Sequence, residues 1–166
     1  FLKSKRNDGD QVKLEGEILD HQTGIEYILG VLISKEHGAI KDLDEIGAVG
    51  HRVAHGGEHF QESALLTDDA IAKIEECAEL APLHNPANLK GIYAIQALIP
   101  NVKQVAVFDT SFHQTMPEFA YMYGIPRALY EKYGIRRYGF HGTSHRFVAQ
   151  ETCKMLNIKM ETHKII

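Results

Sequence analysis

The run Val105-Ala106-Val107-Phe108, closed by Asp109, limits the fold more than any other segment. Four consecutive apolar residues without polar alternation fit a strand covered on both faces, and such strands belong to α/β sheets. A second short apolar run with glycines, Ile46 to Val53, reads as another buried strand. Val12, Leu14, Gly16 and Ile18 alternate with Lys13, Glu15 and Glu17, the period of a half-buried strand. Asn7-Asp8-Gly9-Asp10 ahead of it is turn chemistry, so the first eighteen or so residues predict a hairpin.

Helical spacing separates these strands. Ile25, Ile28, Leu29, Leu32 and Ile33 share one face, with Thr23 and Glu26 as a capping box and Gly38 beyond the end. Residues 54 to 66 read as loop. A second helix is expected from Asp68 to about Leu80, its apolar face formed by Ile71, Ile74 and Ala78. Pro86 opens a third and Pro100 closes it, with Leu89, Ile92, Tyr93 and Ile99 turned to the core. Shorter helices are expected over Arg127–Tyr133 and from Ser144 to about Leu156, the latter with Val148, Met155 and Leu156 inward. The order predicts an α/β architecture around a central sheet, with a boundary just after Asp109.

Composition removes several function classes. The 166 residues carry a formal net charge of -4, a poor match to nucleic acid, whose phosphates require clustered Lys and Arg. No apolar run approaches the length of a membrane span. Cys77 and Cys153 lack zinc-ligand spacing and suit a reducing compartment. The start shows no signal-peptide pattern, and the two isolated thiols make a cytoplasmic protein the expectation. Phe1 at one end and Lys164-Ile165-Ile166 at the other read as interrupted elements, so the sequence is expected to be a piece of a longer protein.

Three segments depart from ordinary packing. In Gly50-His51-Arg52-Val53-Ala54-His55-Gly56-Gly57-Glu58, an Arg at a strand end followed by two glycines fits either an oxyanion clamp or a structural salt bridge. Asp109, at the end of the buried strand, lies where α/β proteins place ligand chemistry, and equally where a turn needs an Asx cap. In Tyr138-Gly139-Phe140-His141-Gly142-Thr143-Ser144-His145, small and hydroxyl residues lead into a helix. That start fits an anion site or a plain Thr143 or Ser144 N-cap. The spaced histidines do not form a zinc motif, because glycines interrupt the first set and HGTSH lacks the Glu of HExxH. No protein-held metal is expected; Mg²⁺ arriving with a nucleotide needs few protein ligands. There is no P-loop, GxGxxG or GxSxG motif.

Taken together, GHRVAHGGE, APLHNPANLKGI, VAVFDTSFHQTMP and YGIRRYGFHGTSH resemble the acetate kinase (acetokinase) family, in family order, from about Ile46 onward; residues 1–45 match only in outline. The resemblance implies an actin-like, ribonuclease H-like ATPase fold of two related α/β domains with substrates in the cleft between them. Residues 1–110 would be a portion of the first domain and 111–166 the beginning of the second. The implied reaction is reversible phosphoryl transfer from ATP to acetate, giving ADP and acetyl phosphate, with Mg²⁺. The family is also usually a cytoplasmic homodimer.

Residue by residue, the resemblance implies that Arg52 binds the acetate carboxylate. Asp109 and His141 are the implied catalytic residues, and Ala54, Leu83 and Phe140 line the methyl pocket. Acetate is already ionised near neutral pH, so Asp109 is expected to orient Arg52 and the metal-bound phosphates, and His141 to stabilise the transferring phosphoryl group. Ala54 departs from the family's usual Val, which predicts a roomier pocket and better tolerance of propionate. Propionate kinase is therefore the neighbouring alternative. A non-catalytic fragment serving only as a folding or interaction module is the alternative of another class, since most nucleotide-binding residues of the family have no counterpart here.

Overall fold

The computed structural model describes residues 1–166. Strands β1 (Leu2–Lys5) and β2 (Gln11–Leu14) form the expected antiparallel hairpin, with Leu2 opposite Leu14. The alternation at Gly16 and Ile18 lies beyond its end. Helix α1 (His21–Leu32) starts three residues earlier than a Thr23 cap requires. Its N-cap is Asp20, whose carboxylate accepts from the Thr23 amide at 2.8 Å, while Glu26 accepts from the Gln22 side chain instead of closing a capping box. Asp outcompetes Thr because an ionised oxygen at a helix start also meets the dipole.

The main sheet has three strands in the order β3-β5-β4, where β3 is Ala48–Val53, β4 is Ala64–Leu65 and β5 is Lys103–Phe108. β3 and β5 run parallel with Arg52 opposite Val107, and β4, inside the segment expected to be loop, pairs antiparallel with β5. Between them come α2 (Asp68–Glu76), capped by Thr67 and continued by a 3₁₀ turn over Cys77–Glu79, and α3 (Asn85–Leu98), with Pro86 in its first turn. Ile71 and Ile74 of α2 and Leu89 and Ile92 of α3 pack with Val53, Ala106 and Phe108 into one core.

Helices therefore cover one face of β5 only. Gln104, Ala106 and Phe108 are buried there, while Val105 and Val107 on the opposite face are half-buried. That opposite face borders a cavity, so the apolar run is less completely enclosed than its composition implies. Tyr93, expected in the core, is 41% exposed and donates to Glu75, because its phenol needs a polar partner.

After β5 follow a 3₁₀ turn over Ser111–His113, a four-residue helix α4 (Glu118–Tyr121) not foreseen from the sequence, α5 (Arg127–Tyr133) and α6 (Gly142–Leu156). α6 rests on the 111–113 turn and the end of β5. Of its side chains only Cys153 is buried. Val148, Met155 and Leu156 are 56%, 84% and 64% exposed, contrary to expectation, because no element of this chain packs over them.

The contrast sets a stability prediction. Ile74→Ala removes a fully buried side chain and is expected to cost about 2–5 kcal/mol. Val148→Ser on the uncovered face should change stability by about 0.5 kcal/mol or less. Urea denaturation of this chain measures both.

Candidate active site at the ends of the parallel strands

Parallel pairing of β3 with β5 brings two residues 57 apart in sequence to the same sheet end. Asp109 continues the ladder, its amide donating to the Val53 carbonyl at 3.0 Å. Arg52 then grips its carboxylate side-on, Nε to Oδ1 at 3.0 Å and Nη2 to Oδ2 at 2.7 Å. The Asp109 side chain is 5% exposed and that of Arg52 66%. The hydrogen bonds and charge of Asp109 hold the guanidinium pKa above its ordinary value. A guanidinium has five N–H donors; two are used here and three remain, including the whole outer fork between Nη1 and Nη2. The arrangement is thus a salt bridge and an open clamp at once.

The loop after β3 is held from below by helix α3. The Asn85 amide oxygen accepts from the His55 backbone N–H at 3.1 Å, and its NH₂ donates to the carbonyls of His55 at 2.9 Å and Ile74 at 3.2 Å. Asn88 accepts from the Ala54 N–H at 3.1 Å. Thr110 accepts from the Gly56 N–H, and Gln114 donates to the Gly57 carbonyl. Gly57 adopts φ +58, and a Cβ there would lie 2.7 Å from the Cys77 sulfur, so only glycine fits. Sequence reading missed Asn85, Asn88, Thr110 and Gln114 as loop supports. Two Asn residues in the first turn of a helix, where the residue type is a poor helix former, were the available signal.

His55 is fully buried, edge-on to Tyr138 and Phe140 at 4.4 and 5.4 Å between ring centres. Its Nδ1 accepts from the Gly57 N–H at 3.0 Å, so the ring is neutral with its proton on Nε2. Burial pushes its pKa down to about 4. His51 meets Gln104 at 2.7 Å, and burial, partly opposed by that hydrogen bond, lowers its pKa too. Glu58, next in the loop, pairs with the buried guanidinium of Arg136 and accepts from the Tyr130 hydroxyl. Arg136 is stacked 3.7 Å over the Tyr121 ring, which ties this loop to the chain leading into α6.

At that helix start His141 has φ 54 and ψ 28, the left-handed region, which costs a non-glycine residue about 1–3 kcal/mol and persists only where its surroundings demand it. His141 occupies the N-cap position without a side-chain cap bond, so neither Thr143 nor Ser144 is the cap; both sit in the first turn. The Gly142 amide donates to the Asp109 carbonyl at 2.8 Å. A Cβ on Gly142 would meet that carbonyl oxygen at 2.5 Å.

Two cavities open from this junction and share Arg52, Asp109 and His141. The larger, about 710 Å³, is bordered mainly by polar and charged residues and is also lined by His51, Thr143, Ser144 and His145. The smaller, about 380 Å³, is half apolar: Ala54, Leu80, Pro82, Leu83 and Phe140 face the shared charged edge and His84. All six residues singled out from the sequence (Arg52, Ala54, Leu83, Asp109, Phe140 and His141) therefore meet at one place. No three His, Cys, Asp or Glu side chains gather as metal ligands anywhere in the chain. Asp109 is the one carboxylate of the junction, and Arg52 holds both its oxygens.

The family model described as the acetokinase family matches residues 1–166, including the first 45, which the motifs reached only in outline. This chain belongs to the acetokinase family. It is 62% identical over its whole length to the acetate kinase of Azobacteroides pseudotrichonymphae, of which it covers 42%. The crystal structure of Porphyromonas gingivalis acetate kinase superposes with a TM-score of 0.85 at 51% identity, over 95% of this chain and 40% of that one. A propionate kinase from Francisella tularensis superposes with a TM-score of 0.77 at 45% identity, over 84% of this chain and 35% of that one. The α/β fold is thus the actin-like ATPase fold of these kinases. This acetokinase chain spans about two-fifths of the length of the curated relatives it matches.

The buried imidazole gives a pH prediction. An unfolded His55 takes up a proton near pH 6.5, whereas the folded one resists until about 4. The unfolded state binds more protons in that window, so the contribution of His55 is complete above pH 6.5 and falls away as pH drops towards 4, by about 3 kcal/mol in all. Stability measured against pH should fall less steeply in His55→Gln than in the parent across that window.

Proposed function

We propose that this chain carries the acyl-binding machinery, and one wall of the phosphate-binding cleft, of an acetate kinase. The reaction is ATP plus acetate giving ADP and acetyl phosphate. The observation that carries this reading is the Arg52–Asp109 pair at the junction of two cavities, one bordered by polar residues and one with an apolar wall of Ala54, Leu80, Pro82, Leu83 and Phe140. A short carboxylic acid needs that combination: a cationic fork for its carboxylate and an apolar recess for its alkyl end. The free outer edge of Arg52 receives the carboxylate, and Ala54, Leu83 and Phe140 face the methyl group.

One carboxylate oxygen then attacks the terminal phosphorus of the nucleotide as the bond to the leaving diphosphate breaks, and no proton need move. Asp109 acts as the group that fixes the orientation of Arg52. His141, on the wall of both cavities, donates to the phosphoryl oxygens, and the uncapped first turn of α6 at Thr143 and Ser144 faces the phosphates. Mg²⁺, when bound, would offset phosphate charge. Asp109 is this chain's sole candidate to face it, so the ion would be carried mainly by phosphate oxygens and water.

We assign residues 1–110 to part of a first domain and 111–166 to the start of a second, in a cytoplasmic enzyme that is a homodimer at its relatives' length. Two buried free cysteines fit that compartment. With only one side of a cleft, this chain alone is expected to form no acyl phosphate, because holding both reactants together supplies much of the rate.

In the enzyme at its relatives' length, Arg52→Ala should raise the KM for acetate roughly 10- to 100-fold, with Arg52→Lys only partly restoring it because the fork is lost. His141→Ala should lower kcat about 100-fold or more. Unchanged acetate kinetics in Arg52→Ala would rule the assignment out.

A second reading, propionate as substrate, is favoured by Ala54, whose backbone Asn88 fixes beside the smaller cavity. Ala54→Val is expected to shift the acetate-to-propionate ratio of kcat/KM about tenfold towards acetate. An unchanged ratio in parallel assays of both acids would refute a role for residue 54 in selection.

A further inference from the structure

His113 is absorbed by none of the roles above. It ends the 111–113 turn, four residues beyond Asp109, and lies behind the segment that carries Phe140 and His141. Its Nε2 is 3.0 Å from the Phe140 carbonyl oxygen. A carbonyl only accepts, so Nε2 carries the proton and donates. The imidazole also occupies the space where residue 139 has no side chain: a Cβ on Gly139 would fall 2.2 Å from His113 Cγ. The ring lies edge-on to His145, 5.5 Å between centres.

The acceptor is the peptide that joins Phe140 to His141. Holding its plane restrains rotation about the His141 N–Cα bond, the torsion that stands at 54° in the left-handed region. On the other side of His141, the Gly142 amide is held by the Asp109 carbonyl. His141 is therefore fixed by one hydrogen bond before it and one after it, and both holders come from the same stretch, residues 109 to 113.

We propose that His113 is a positioning residue for His141, its Nε2–H on the Phe140 carbonyl keeping the left-handed backbone that presents the His141 imidazole to the cleft. This rests on the reading of the cleft as the site of phosphoryl transfer to a carboxylate. His113 lines neither cavity of that junction and acts through the backbone of its neighbours.

The test uses the enzyme at its relatives' length, acetate and MgATP as substrates, and His113→Phe, His113→Gln, His141→Ala and the double variant His113→Phe/His141→Ala. Phe keeps a ring against Gly139 without the donor; Gln keeps an N–H donor. His113→Phe should lower kcat by up to about 100-fold, the scale of a misplacement near 1 Å, with acetate KM changed less than about threefold. His113→Gln should recover most of that loss. Adding His113→Phe to His141→Ala should cost little more, since a residue that acts through His141 has nothing left to position.

Independent, multiplying losses in the double variant would overturn the proposal, as would wild-type kcat in His113→Phe. If the parent enzyme phosphorylates no carboxylate, the reading of the cleft fails and the NMR ring signals of His141 decide the positioning claim. Signals that shift in His113→Phe and return in His113→Gln support it, and signals that stay in place overturn it.

Discussion

The guanidinium of Arg52 on the carboxylate of Asp109 is the contact from which the site is built. A carboxylate enclosed at a sheet end is costly unless charge and hydrogen bonds meet it, and only the parallel register of β3 and β5 brings Arg52 there. The same aspartate residue holds a third partner through its backbone, the Gly142 amide. One residue thus links the two parallel strands and the helix whose first turn lines the larger cavity. The exposed side of Arg52 costs the protein no desolvation and stays available to an anion.

Around this pair the structure spends neutral hydrogen bonds, not charges, on precision. Asn85 and Asn88 from α3, with Thr110 and Gln114 after β5, hold the backbone of the loop from Ala54 to Gly57. Buried amide–backbone bonds of this kind have fixed geometry and little dependence on salt or pH. His55 belongs to the same system: it is a packed, neutral ring whose nitrogen accepts a backbone N–H, not a ligand or a base. The charged exception, Glu58 with Arg136, joins this loop to the chain before α6, and stacking on Tyr121 shields it.

Much of this was legible in the sequence. Apolar runs mark β3 and β5, prolines bound α3, and the residues of the pocket sit in contiguous motifs, so Arg52, Asp109 and His141 are visible before any coordinates. The parts that were not legible depend on tertiary partners. Two-residue β4 has too few residues for a periodic signal. The Asp20 cap wins locally over Thr23 through charge, which spacing does not rank. Val148, Met155 and Leu156 follow a helical period that promises a core, but burial also requires a second surface, and this chain supplies none. The supports of the HGG loop arrive from 30 or more residues away, a distance at which pattern alone is silent.

The backbone of His141 sets the range of substitutions open to that position. Asparagine and glycine enter the left-handed region more readily than histidine, so either would relax the turn between Phe140 and Gly142 while deleting the imidazole. A library selected only for thermal resistance would drift towards those residues, whereas the proposed role of the imidazole requires one selected for turnover to return to histidine. Disagreement between the two selections at a single site separates a residue kept for its side chain from one kept for its fold.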